Sequence, residues 1–229
     1  NHELVLLSKQ IDWEAVAASG IDFVVVRVGW RGYGGGSLVE DARYRENIEG
    51  AQAAGILVGA YFFSQAITVM EAAEEAVYTK KLLEDYQLEL PVFFDWETID
   101  VEPARTDGTS ARRITDCCLE FCKLLDSEGI ATGVYSYIPA VYRHYILNDL
   151  AGLNVWMGDP GNWPEFYYEH QIWQYSITGV IPGIEGNVDL DVLYQPGGTS
   201  PIITIPEVTA APVDTTPAES APGEAEAQG

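Results

Sequence analysis

The amino-acid sequence predicts an α/β fold, a parallel sheet covered by helices that forms a compact, irregular β/α (TIM-like) barrel. Three observations point there. Short apolar runs rich in β-branched and aromatic residues alternate with amphipathic helical segments between Val24 and Gly158. Unbroken apolar strands of this kind belong to parallel sheets with both faces covered. Seven or eight such strands fit within residues 1–198, and no phosphate-binding loop favours the alternative, a doubly wound open sheet. The run Gly32-Tyr33-Gly34-Gly35-Gly36 lacks the strand-to-helix context that such a loop requires.

The elements follow in order. Residues 24–28 (VVVRV) read as a strand by their β-branched content. Residues 41–55 read as a helix stopped by Gly55, and 56–63 (ILVGAYFF) as a buried strand. Residues 68–86 give a long helix with acids early and lysines late, the order its dipole prefers. LPVFFDWE at 90–97 is a strand, 110–129 a helix ended by Gly129, and 131–137 (ATGVYSY) a strand. A helix at 138–150 and a strand at 153–158 come next, and QIWQYS (171–176) and NVDLDVLY (187–194) close the body.

Composition divides the chain into a body, 1–198, and a tail, 199–229. The tail has no aromatic residue, lysine, arginine or cysteine, and Pro201, Pro206, Pro212, Pro217 and Pro222 recur along it. Such a segment buries too little to offset chain entropy and is expected to be a disordered linker. The formal charge of the whole chain is -23, from 12 basic and 35 acidic residues. Only Glu207, Asp214, Glu219, Glu224 and Glu226 lie in the tail, so most of the negative charge belongs to the body. That balance excludes a nucleic-acid backbone as partner, because phosphate binding needs clustered Lys and Arg. No apolar run is long enough for a membrane span.

Cys117, Cys118 and Cys122 are an odd, clustered set, unsuited to a disulfide framework. They read as small apolar residues on a helix face, and no histidine lies near enough in sequence to suggest a metal site.

The chemistry concentrates at Phe93-Phe94-Asp95-Trp96-Glu97. On a strand Asp95 and Glu97 point to one face, with Cα atoms roughly 6.6 Å apart. Acids at the carboxyl end of an apolar strand sit where barrel enzymes carry catalytic groups. Repulsion and partial burial push two such pKa values apart, giving a proton donor beside an anion, the division that glycoside hydrolysis uses. Asp189 and Asp191 in NVDLD form a second such pair. Two acid pairs either converge inside a barrel, simply flank loops or bind a metal ion, although no DxDxDG-type loop accompanies them. Tyr61, Tyr135, Tyr137, Trp156, Trp173 and Tyr175 accompany them, and aromatic faces stack on sugar rings while acids and amides bond hydroxyls.

These stretches resemble the family 25 glycoside hydrolases, lysozymes that act as N-acetylmuramidases. The matching segments are 11–36 (IDWEAVAASGIDFVVVRVGWRGYGGG), 47–66, LPVFFDWE, ARTDG (104–108), GVYSY (133–137), IWQYS (172–176) and GIEGNVDLD (183–191), in family order. The resemblance implies an irregular barrel with a groove at the carboxyl ends of its strands. It implies cleavage of the β-1,4 bond from N-acetylmuramic acid to N-acetylglucosamine in peptidoglycan, without metal or cofactor, by a secreted or wall-associated monomer. By position, Glu97 would be the general acid, Asp95 its stabilising or orienting partner, and Asp189 a further cleft carboxylate. Tyr61, Tyr135, Trp156, Trp173 and Gln174 would line the sugar groove. Residues 1–9 show neither a basic region nor an apolar leader core.

One departure stands out. Family members open with a strand reading roughly G-[IV]-D-[VI]-S, whose Asp is another active-site carboxylate. Ungapped counting back from Ile11 puts Glu3 near that position, whereas aligning Ser8 puts Leu6 there and leaves the acid absent. The second alignment makes a catalytically impaired wall-glycan binder the competing expectation.

Overall fold

The computed structural model describes residues 10–161 and 166–194. Glu3, with the alternatives for the opening strand, and the tail at 199–229 lie outside the described residues. Within them, eight strands form one sheet: β1 (Phe23–Arg31), β2 (Leu38–Glu40), β3 (Leu57–Ser64), β4 (Val92–Trp96), β5 (Thr132–Tyr137), β6 (Asn154–Gly158), β7 (Ile172–Gly179) and β8 (Val188–Leu193). The helices are α1 (Trp13–Ala18), α2 (Tyr44–Ala53), α3 (Val69–Leu83), α4 (Ala111–Asp126) and α5 (Ala140–His144). The strands pair in the order β2-β1-β3-β4-β5-β6-β7-β8, a curled half-barrel with β2 and β8 at its two ends.

From β1 through β3 to β7 every neighbour is parallel, but β1–β2 and β7–β8 are antiparallel. This corrects the expectation of parallel strands throughout. The segment 180–187 between β7 and β8 is too short for a crossover, which takes about a dozen residues or more, so β8 returns as a hairpin partner. The helix expected over 138–150 is also divided. After α5 the backbone is extended at Tyr145, and a 3-10 turn covers Leu147–Leu150. The freed amide of Ile146 donates to Thr115 Oγ1 at 2.9 Å.

Local chemistry explains the helix starts. Asp12 caps α1 by accepting from Ala15 N at 3.1 Å. Thr68 caps α3 by accepting from Glu71 N, while the Glu71 side chain reaches back to Ile67 N, a variant of the capping box. Ser110 caps α4 through Arg113 N. Helix α2 begins later than expected because Asp41 accepts from Arg43 N and from Arg27, which makes its turn a junction with β1.

The sheet has two differently dressed faces. On the helix-covered face, Val92, Phe94 and Trp96 of β4 join the main core with Ile114, Cys117, Cys118, Phe121, Cys122 and Leu125 of α4. The three cysteines are buried and free, as small apolar residues in a helix–sheet contact. On the concave face a second cluster gathers Phe93, Tyr135, Trp156 and Ile172, flanked by Phe23, Val25, Tyr61 and Leu193. Strand alternation makes this division, since neighbouring residues face opposite ways. Among the described residues no helix is long and apolar enough to cross a membrane.

Candidate active site

The parallel register lays one row of residues across the concave face: Phe63, Asp95, Tyr135, Trp156, Ile172 and Leu193. Asp95 is buried within this row, and Glu97, half-buried, is the first residue past the end of β4. Asp95 thus faces the concave side, and Glu97 leaves the strand close enough to act electrostatically on Tyr135 of that face. The next row crosses Tyr137, Gly158, Gln174 and Asp191.

Asp189 and Asp191 reach the same rim from the amino-terminal end of β8, because that strand runs antiparallel to β7. Gln174 links Asp189 to Tyr135, one of the aromatics expected from sequence to line a sugar groove. Tyr135 donates its hydroxyl to Gln174 Oε1 at 2.9 Å, and Gln174 Nε2 donates to Asp189 Oδ2 at 3.1 Å. Gly158 leaves space for this pair: a β-carbon there would lie 2.9 Å from the Tyr135 hydroxyl and 3.1 Å from Gln174 Oε1. Trp156 donates its indole N–H to Asp191 Oδ1 at 2.7 Å. Its ring meets Tyr135, Phe93 and Tyr61 edge-on, with centroids 4.6, 5.5 and 5.8 Å away.

Electrostatics register the convergence. Burial holds the Tyr135 hydroxyl well above its ordinary pKa, and the charges of Glu97, Asp95, Asp191 and Asp189 add to the shift. Four carboxyl groups from two segments distant in sequence thus act electrostatically on one phenol. Asp191 keeps some solvent contact as a residue, while its carboxyl accepts from the Trp156 indole on the concave face. Burial pushes the carboxyl up to about 7 against the pull of the Trp156 N–H, with Asp189 raising it further.

Trp173 alternates to the other face of β7, beside Met157 in register, where its Nε1 donates to the Asp159 carbonyl at 3.3 Å. It therefore does not share the Gln174 side of the strand. Tyr175 lies with it, ring centroids 5.7 Å apart.

Other residues at the site were not singled out from sequence. Arg27, in register with Tyr61, bonds Asp41 at 2.9 Å and stacks over Trp30 at 5.0 Å. A single cation inside the apolar run VVVRV was the available signal. Gln65, fully buried, donates to the Glu97 carbonyl at 2.9 Å. Among the described residues no group of three or more His, Cys, Asp or Glu side chains is arranged to hold a metal ion.

Residues 6–184 match the family described as glycosyl hydrolases family 25. The chain belongs to glycosyl hydrolase family 25. It is similar to an autolytic lysozyme of Clostridium acetobutylicum, 26% identical over 182 residues that make up 79% of this chain and 51% of that protein. Among solved structures it resembles the modular autolysin LytC from Streptococcus pneumoniae, with a TM-score of 0.70 and 25% identity over 82% of this chain and 44% of that one. A family 25 glycosyl hydrolase from Bacillus anthracis shares the fold at a TM-score of 0.70 and 20% identity, covering 84% and 86% of the two chains. This family 25 chain spans about half the length of the curated relative that it matches.

Proposed function

We propose that this family 25 glycoside hydrolase is a lysozyme that cleaves the β-1,4 bond between N-acetylmuramic acid and N-acetylglucosamine in peptidoglycan. The observation that carries the reading is the convergence of Glu97, Asp95, Asp189 and Asp191 around Tyr135, above an aromatic floor. A LytC structure with a synthetic peptidoglycan ligand supplies the substrate class by analogy. Glu97, the first residue beyond β4, protonates the departing glycosidic oxygen. Asp95, buried beside it, meets the positive charge that develops at the sugar ring or orients the acetamido group that does so. Asp189, held by Gln174, completes the negative wall. Tyr61, Tyr135 and Trp156 offer faces for sugar rings, whereas Trp173, on the other face of β7, does not join them. Such two-carboxyl chemistry needs one acid protonated while its neighbour stays ionised. The reading carries with it an irregular β/α barrel, action as a monomer, and a location outside the cell at the wall.

The test is release of new reducing ends from purified peptidoglycan, analysed for muropeptides across about pH 4 to 7. Reducing-end muramic acid is expected from the parent protein, and about a hundredfold less or lower still from Glu97→Gln. Release of no muropeptide by the parent at any pH in that range contradicts the assignment. The second reading, an impaired relative that binds wall glycan, is favoured by the altered opening motif around Leu6 and Glu3. It predicts saturable sedimentation with insoluble peptidoglycan and no turnover.

A further inference from the structure

Glu97 stands where the sheet stops holding the chain. The parallel ladder between β3 and β4 ends at the pair Ser64–Trp96. One step on, Gln65 and Glu97 would face each other, but both lie beyond their strands. A side chain takes over the connection there. Gln65 is fully buried, and its amide nitrogen donates to the Glu97 carbonyl at 2.9 Å and to the Ser64 carbonyl at 2.9 Å. Both amide protons are thereby used, one on each strand end.

The segment after Glu97 returns to the same residue. Arg105 donates to the main-chain carbonyl of Gln65, and the Thr106 hydroxyl lies 3.5 Å from Gln65 Oε1. Arg105 also donates to Glu71 Oε1 at 2.5 Å, anchoring the loop to the first turn of α3. Beneath this, Ser64 Oγ donates to the buried Glu75 at 2.6 Å, and Arg31 Nε donates to the same carboxylate at 2.7 Å. Gln65 is therefore the junction of three segments: the exit of β3, the backbone of Glu97, and the loop that follows it.

We propose that Gln65 is the positioning residue for Glu97, fixing the direction in which the general acid leaves β4. The proposal rests on the reading of Glu97 as that acid. Proton transfer requires the donor within hydrogen-bond reach of the leaving oxygen. A displacement near 1 Å can cost on the order of a hundredfold in rate. A buried amide that bonds main chain on both strands removes that freedom without adding charge beside the acid.

The experiment compares parent, Gln65→Met and Gln65→Glu on solubilised peptidoglycan glycan chains, with thermal melting to establish folding. Methionine keeps length and loses both donors. A protonated glutamic acid keeps one donor, and a glutamate keeps none. We expect kcat of Gln65→Met to fall about tenfold or more with KM within about twofold. Activity of Gln65→Glu relative to Gln65→Met should rise as pH falls, a trend that general loss of stability would not produce. Independently of turnover, the carboxyl titration of Glu97, followed by NMR, should shift in Gln65→Met by about half a pH unit or more. A folded Gln65→Met with parental kcat and parental Glu97 titration overturns the proposal; if Gln65→Met does not fold, parental values of both in Gln65→Glu at a pH where the new carboxyl is ionised overturn it. A parent without activity overturns the hydrolase reading instead, and the Glu97 titration then decides the role of Gln65.

Discussion

The indole N–H of Trp156 lies 2.7 Å from Asp191 Oδ1, joining the aromatic floor of the concave face to a carboxyl on the antiparallel closing strand. Trp156 is itself edge-on to Tyr61, Phe93 and Tyr135, so this one bond orients the ring on which three others pack. Asp191 carries a burial-raised pKa of about 7, and Glu75, enclosed under the site, is pushed by burial to about 7 against bonds from Ser64 and Arg31.

These two groups set a pH dependence of stability. Each binds its proton more tightly folded than unfolded, so its stabilising contribution is complete below the ordinary carboxyl range. That contribution is lost as pH rises through about 7. Calorimetry should show the melting temperature falling between about pH 4 and 7.5, and Asp191→Asn should flatten part of that slope. An Asp191→Asn variant with the parental slope excludes Asp191 as a contributor.

Glu97→Gln should reduce turnover by about a hundredfold or more while glycan binding persists, because the amide keeps shape and loses the transferable proton. Sedimentation with insoluble peptidoglycan and reducing-end assay on the same preparation separate the two effects.

Gly158→Ala should break the Tyr135–Gln174 bond, since the new methyl group would sit 2.9 Å from the phenol oxygen. Overpacking of this kind costs about 1–3 kcal/mol. The variant should melt lower and lose affinity for glycan fragments, which titration calorimetry would measure.

Arg31→Met removes the cation from Glu75, whose side chain is fully enclosed while that of Arg31 is 4% exposed. Stranding a buried charge costs up to about 3–5 kcal/mol, and the loss should be largest above about pH 7, because at lower pH the enclosed Glu75 takes up a proton instead. Urea unfolding should show the loss, and the double variant Arg31→Met, Glu75→Leu should recover much of it.

Added salt should leave wall binding largely intact. A chain of net charge -23 is not drawn to anionic polymers by its field, so groove contacts must provide the affinity. Raising ionic strength toward about 0.15 M shortens the screening length to about 8 Å and weakens any residual repulsion. Binding isotherms at low and physiological salt would differ little or favour the higher.

Most strand and helix segments, the two-faced strands, and the i, i+2 spacing of Asp95 and Glu97 were legible in the sequence. Those features are local: a two-residue period, a cap such as Thr68 or Ser110, and an apolar run are properties of short stretches. That β8 returns antiparallel and delivers Asp189 and Asp191 to the rim emerges from the assembled sheet. The same assembly decided that Trp173 faces away from Gln174, and that Gln65 meets the Glu97 backbone across two strands. The physical reason is range. Side-chain alternation follows from neighbouring peptide units, whereas strand direction, register and the partner of a buried amide depend on residues tens of positions apart that meet only when the sheet assembles.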